Sequence, residues 1–198
     1  MSAAVAVLIS GTGSNMLALL DAMAADGFAR PVLVLSNRPD AAGLAKAAAR
    51  GVATAVVDHR DFRGDRAGFD AAIDAELTRA GAEIVCLAGF MRILGADFVT
   101  ARAGRMLNIH PSLLPKYPGL DTHARALAAG DVVHGCTVHE VTPELDAGPM
   151  VGQARCAVLP GDTPDLLAAR VHGLEHQLYP AALRRFVAGE REPVLLEG

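Results

Sequence analysis

The stretch Val5-Ala6-Val7-Leu8-Ile9-Ser10-Gly11-Thr12-Gly13-Ser14-Asn15 sets a continuous apolar run against a glycine-bearing turn and passes straight into a helical pattern. An apolar run without alternation is what a strand covered on both faces looks like, as in a parallel sheet. Asn15 to Ala25 follows as a helix with Leu17, Leu20 and Ala24 on one side, and Val32 to Leu35 is the next strand, which completes one βαβ unit. The alternation continues. Ala41 to Arg50 and Arg66 to Ala80 are predicted helices stopped by Gly51 and Gly81, with Ala53 to Val57 a short strand between them. Ile84 to Leu87 and Met106 to Ile109 are further apolar strands, with a helix near Ala96 to Ala103. The fold class expected is α/β: Rossmann-like and doubly wound, a mostly parallel sheet with helices on both faces and pocket residues at the C-terminal ends of strands.

Beyond residue 110 the pattern changes. Thr122 to Ala129 reads as a short helix, and Gly135 to Val141 and Gly148 to Val158 as strands that can pair antiparallel. The segment Thr142 to Pro149 between them is turn-rich and suits no element interior. Thr163-Pro164-Asp165 puts a capping hydroxyl before proline at the first helical position, so a long helix is predicted from there to about Phe186. No element is predicted from Gly189 onward. No repeat, linker or composition step divides the 198 residues, so a single domain, 1–198, is expected.

Composition narrows the function. With a formal net charge of −4 the chain has no broad electropositive surface, so nucleic acid is not expected as a partner. No basic leader and no apolar run of about 18 residues or more is present, so neither secretion nor a membrane is expected. Cys86, Cys136 and Cys156 lack CxxC spacing. Reduced thiols and a cytoplasmic location fit best.

Three stretches carry chemistry. Ser10 to Asn15, between strand and helix, can cradle a phosphate on exposed N–H groups at a helix N-terminus. A dinucleotide site competes, because Gly11-x-Gly13 starts the G-x-G-x-x-G fingerprint and Arg38 suits a 2′-phosphate. However, Met16 stands where the third glycine belongs, and Ser36-Asn37-Arg38 replaces the ribose-binding acid. A plain tight turn is the third reading. In Met106 to Asp121, Asn108 and His110 lie two apart at a strand end and so face the same way. Pro111, Pro115 and Pro118 stiffen the loop that follows. By themselves the two polar residues could simply satisfy backbone groups. Asp146 reads either as a solvated turn carboxylate or as a charge beside His110 that stabilises an imidazolium. Arg92 reads as a surface residue or as part of a pocket wall.

His172-Gly173-Leu174-Glu175-His176 matches the H-x-x-E-H pattern of inverted zinc peptidases but lacks a convincing third ligand. In His134-x-Cys136-x-x-His139, strand periodicity turns His139 away from the other two. No metal is expected.

Taken together, four segments in order, Val7 to Asn15, Leu87 to Leu94, Leu107 to Leu120 and Glu144 to Pro149, resemble the phosphoribosylglycinamide formyltransferases of the formyltransferase family, and the resemblance spans nearly the whole chain. It implies transfer of the formyl group of 10-formyltetrahydrofolate to the amine of glycinamide ribonucleotide in purine synthesis, with both as small-molecule partners. It makes Asn108, His110 and Asp146 the catalytic trio. It gives the ribonucleotide to Thr12, Gly13, Ser14, Asn15 and Glu175, and the folate to Arg66, Met91, Arg92, Ile93, Leu94, Asn108, Val141 and Thr142. It implies a phosphate-binding N-terminal half, a catalytic and folate-binding C-terminal half, and a monomer or homodimer. A formyltetrahydrofolate hydrolase or another formyltransferase of the same core is the near alternative, although the added domains of those relatives are not seen in this sequence. An NADP-dependent oxidoreductase is the distant alternative.

Overall fold

The computed structural model describes residues 2–198. Its packing divides the chain into two compact units, residues 1–107 and residues 108–198.

The first unit is built on β1 (Ala3–Ile9), buried along almost its whole length, with β2 (Ala29–Ser36) and β4 (Ile84–Leu87) parallel to it on either side. The short β3 (Thr54–Val56) adds to β2, also parallel. Helices α1 (Ser14–Asp26), α2 (Ala42–Ala48), α3 (Arg66–Arg79) and α4 (Ala96–Ala101) connect the strands. A 3-10 turn at His59–Phe62 went unpredicted. The buried face of α1 is Met16, Leu19, Leu20 and Met23, one residue round from the Leu17, Leu20 and Ala24 side expected. The observed set is the i, i+3, i+4, i+7 stripe of a core-facing helix, and Ala24 lies outside it.

β5 (Met106–His110) runs across the boundary between the units. In the second unit α5 (Thr122–Ala128) precedes β6 (Val133–Glu140) and β7 (Met150–Ala157), which pair antiparallel as expected. The register slips by one residue between Val138 and His139. The long α6 (Pro164–Val187) starts on Thr163, whose side chain accepts from the Leu166 N–H. It buries Leu167, Val171, Leu174, Leu178 and Leu183.

The segment after Gly189, left without structure by the sequence reading, contains β8 (Val194–Glu197), parallel to β7. Four residues without alternation carry no local strand signal. The pairing is a tertiary event, made feasible at Gly152, where a Cβ would stand only 3.1 Å from the Val194 carbonyl oxygen. The fold is therefore α/β, with mostly parallel strand pairs and an antiparallel pair in the C-terminal part. Among the described residues no helix is long and apolar enough to cross a membrane.

Candidate functional site

In the first unit, Ser10 to Asn15 leaves the C-terminal end of β1 and opens α1. Gly13 caps that helix in the left-handed region (φ 72°) and brings no side chain of its own to the cap. The loop is backed closely by α2: the Gly43 N–H donates to the Gly11 carbonyl at 3.0 Å, and any side chain on Gly43 would collide with Ile9. Met16, in the place of the third fingerprint glycine, is fully buried. Its methyl lies only 3.0 Å from where a Cβ on Gly13 would sit. The loop walls a cavity of ≈ 390 Å³ that also takes in Asn37, Arg38, His59 and Arg92. Lys46 reaches the Thr12 carbonyl at 2.9 Å, which places a cation at the loop that sequence reading passed over.

A polar relay ties this cavity to the segment after β4. The Met91 N–H donates to Ser10 Oγ at 2.7 Å, and that hydroxyl donates to Asn37 Oδ1 at 2.5 Å. His59 Nδ1 donates to the Asn37 carbonyl oxygen at 2.9 Å. Met91 and Ile93 are thereby held exposed, at 65% and 64%, beside Arg92. Leu94, expected with them, is instead buried beneath the segment and lines neither cavity of this unit. The folate candidates are divided: Arg66 and Met91 to Leu94 lie in the first unit, Val141 and Thr142 in the second.

The second unit brings Asn108, His110 and Asp146 together and adds a residue that the sequence reading did not assign to the site. His110 Nδ1 lies 3.4 Å from Asp146 Oδ2, and both side chains are 7% exposed. His139 Nε2 lies 3.6 Å from the other carboxylate oxygen and accepts from Asn108 Nδ2 at 3.1 Å. The protonation states follow from partners that have only one role to offer. A carbonyl oxygen can only accept, so His110 Nε2, 2.9 Å from the Tyr117 carbonyl, carries a proton. Its Nδ1 then faces the Asp146 carboxylate. His139 donates from Nδ1 to the Glu140 carbonyl at 2.9 Å, which leaves Nε2 as the acceptor for Asn108. Burial pushes the His139 imidazole below its usual range, which matches a neutral ring. One carboxylate thus stands between two imidazoles, of which His139 is the one that burial keeps neutral.

The loops that hold this cluster are tightly pinned. Tyr117, Asp121 and Asp146 all have positive φ (56°, 58° and 52°), an uncommon state for residues with side chains that recurs at functional sites. The Gly119 N–H donates to Asp146 Oδ2 at 2.8 Å. Ser112 Oγ donates to the Lys116 carbonyl at 2.6 Å, and Thr137 Oγ1 donates to the Ser112 carbonyl at 2.7 Å. The stiffness expected from the prolines is thus matched by side-chain bonds that anchor the loop to β6.

Behind the loop, His123 Nδ1 and His134 Nε2 meet at 3.1 Å. Burial drives His134 down to about 4 and lowers His123 as well. Near neutrality both are uncharged, folded or unfolded. As pH falls below about 6.5, the unfolded chain takes up a proton at His134 that the folded chain refuses until about pH 4, so stability is lost across that window. Urea midpoints measured between pH 7.5 and 4.5 are expected to fall, and His134→Gln to flatten the slope. An unchanged slope in the variant would show that other groups set it.

Glu175 is buried on α6, and the rings of His172 and His176 meet edge to face at 4.2 Å. Among the described residues no group of three or more metal-ligating side chains is placed to hold an ion. His139 turns to Asn108 and Asp146 while His134 meets His123, so the second histidine cluster is split between two networks.

Comparison with known proteins adds the lineage. A profile described as formyl transferase matches residues 3–183. The chain belongs to the formyl transferase family. Within that family it is 47% identical over 186 residues to the phosphoribosylglycinamide formyltransferase of Escherichia coli K12, covering 93% of this chain and 87% of that one. It is 48% identical to the trifunctional purine biosynthetic protein adenosine-3 of Drosophila melanogaster, but spans only 14% of that protein's length. The crystal structure of a phosphoribosylglycinamide formyltransferase from Brucella melitensis is 51% identical and superposes with a TM-score of 0.90 over 96% of this chain and 97% of that one. Such formyl transferase relatives match the α/β architecture described above across both units.

Proposed function

We propose that this protein transfers the formyl group of 10-formyltetrahydrofolate to the amine of glycinamide ribonucleotide, giving formylglycinamide ribonucleotide and tetrahydrofolate in de novo purine synthesis. The observation that carries the reading is the Asn108, His139, Asp146 and His110 cluster in a chain of this family. The substrate amine attacks the formyl carbon, and the carbonyl oxygen becomes an oxyanion. Asn108 has one amide N–H engaged by His139 and a second left to donate, while His110 supplies an imidazolium. Preorganised donors of this kind are worth roughly 3 kcal/mol each when aimed at the developing charge. The amine sheds its proton, the bond from carbon to N10 breaks, and N10 gains a proton; Asp146 keeps His110 charged so that it can serve as the donor.

The remaining roles are assigned residue by residue. Thr12, Gly13, Ser14 and Asn15 hold the ribonucleotide phosphate, and Glu175 the glycinamide end. Arg66, Met91, Arg92, Ile93, Val141 and Thr142 serve the folate, with Leu94 supporting the segment from below. The 198 residues act as one formyltransferase domain, cytoplasmic, as a monomer or homodimer.

Mixing the protein with both substrates and following the appearance of tetrahydrofolate tests the reaction. Release without the ribonucleotide would mark a hydrolase. No product, together with an NADP-dependent thermal shift, would move the assignment to an oxidoreductase. The phosphate loop is tested separately by Gly11→Val. A side chain there meets no atom within 4 Å and projects from a cavity-lining position, whereas Gly13 is held at positive φ against Gly43. The variant should keep its melting temperature and lose about 10-fold in ribonucleotide affinity, the scale of one charged hydrogen bond. Equal loss for the folate would remove the phosphate assignment.

A further inference from the structure

The segment 88–95, between β4 and α4, forms no helix or strand of its own. Its main chain is held through the Ala88 N–H, which donates to the Leu8 carbonyl at 2.9 Å, the Met91 N–H, which donates to Ser10 Oγ at 2.7 Å, and the Gly95 N–H, which donates to Asp70 Oδ2 at 2.7 Å. The middle anchor is the informative one. Met91, Arg92 and Ile93, all exposed, are the part of this segment assigned above to the folate. Ser10 is the residue next to Gly11, where the loop assigned to the ribonucleotide phosphate begins. Residues 10–15, Met91 and Arg92 line one and the same cavity of ≈ 390 Å³.

The roles at Ser10 are fixed by its partners. A backbone N–H can only donate, so Oγ accepts from Met91, and its own proton goes to Asn37 Oδ1 at 2.5 Å. Asn37 directly follows β2, and its main-chain carbonyl accepts from His59 Nδ1 at 2.9 Å. Ser10 and Asn37 are both buried. One hydroxyl thus joins the ends of β1 and β2 to the segment after β4. A ligand that settles the glycine-bearing loop also settles Met91, and a segment already ordered costs a second ligand less to bind. We propose that Ser10 is a positioning residue through which ribonucleotide and folate favour each other's binding, its hydroxyl carrying the ordering of the loop to Met91, Arg92 and Ile93. By linkage the effect is reciprocal. This inference rests on the assignment of the loop to the ribonucleotide and of the Met91 segment to the folate.

Calorimetry on the intact protein with glycinamide ribonucleotide and tetrahydrofolate tests it, since a folate without a formyl group allows binding and no turnover. In the parent, saturating tetrahydrofolate is expected to tighten ribonucleotide binding about fivefold or more, and saturating ribonucleotide to tighten tetrahydrofolate binding by the same factor. In Ser10→Ala the factor should fall to about one. Ser10→Cys, which fills the same space with a weak donor and acceptor, should give an intermediate value and keeps the test available if Ser10→Ala does not fold. A merely structural loss would weaken both titrations of a variant alike and leave their ratio at the parent value. Parent titrations that show no mutual tightening, or Ser10 variants that keep the parent factor, overturn the proposal while the reaction assignment stands. Absence of ribonucleotide binding to the parent, with and without the folate, would overturn the reaction assignment and the coupling with it.

Discussion

Asp146→Asn is expected to lower kcat by about 100-fold or more, with ribonucleotide binding nearly unchanged. The substitution is informative because it changes little else. Asp146 sits at φ 52°, a conformation that asparagine tolerates as well as aspartate does. The amide oxygen can still accept the Gly119 N–H that now bonds Oδ2. What disappears is the negative charge 3.4 Å from His110 Nδ1. His110 already commits Nε2 to the Tyr117 carbonyl, so Nδ1 is the face that loses its charged partner. His110→Ala should cost at least as much. The double substitution should cost little more than the worse single one, because groups acting on one proton are non-additive. Losses in kcat that add in full across the pair would separate Asp146 from His110 and sink the coupling.

Gly148→Ala should be a damaging conservative change in the second unit, removing about 2 to 3 kcal/mol of stability. A Cβ at this position overlaps the Glu140 carbonyl oxygen and approaches Thr142 Cγ2 to 3.2 Å. The Glu140 oxygen cannot retreat cheaply, because it accepts from His139 Nδ1 and the Glu140 N–H donates to the Pro149 carbonyl at 2.9 Å. Relieving the overlap opens the mouth of the loop that carries Asp146, so activity should fall with stability. Gly173→Ala is the control: it lies exposed on α6 with nothing within 4 Å of a new Cβ, and replacing a helical glycine should raise stability by about 0.5 to 1 kcal/mol. Chemical denaturation of the three proteins checks the order. A Gly148→Ala variant as stable as the parent would show that the hairpin shifts without cost.

Much of the architecture was legible in local chemistry. β1 and β4 are continuous apolar runs because both faces are covered, and a run of that kind ending in a glycine-bearing turn has few other readings. The start of α6 was set by Thr163 and Pro164, and the turn from 142 to 149 by its prolines and glycine. Asn108 and His110 were placed on one face by strand periodicity alone, and four ordered segments carried the family resemblance.

What local chemistry could not supply was the partner of each polar group. Asp146 read alone as a solvated carboxylate. Its side chain is 7% exposed only because the loop closes on Gly119 and two histidines. His139 was noticed in a rejected chelate and left out of the site. Its role depends on which side chains surround it and on a register slip next to Val138, and neither leaves a trace in spacing. Leu94 faces inward, and β8 exists only through β7, for the same reason. Burial and pairing are decided by residues far away in the chain, whereas propensity, turns and apolar periodicity are written in neighbours.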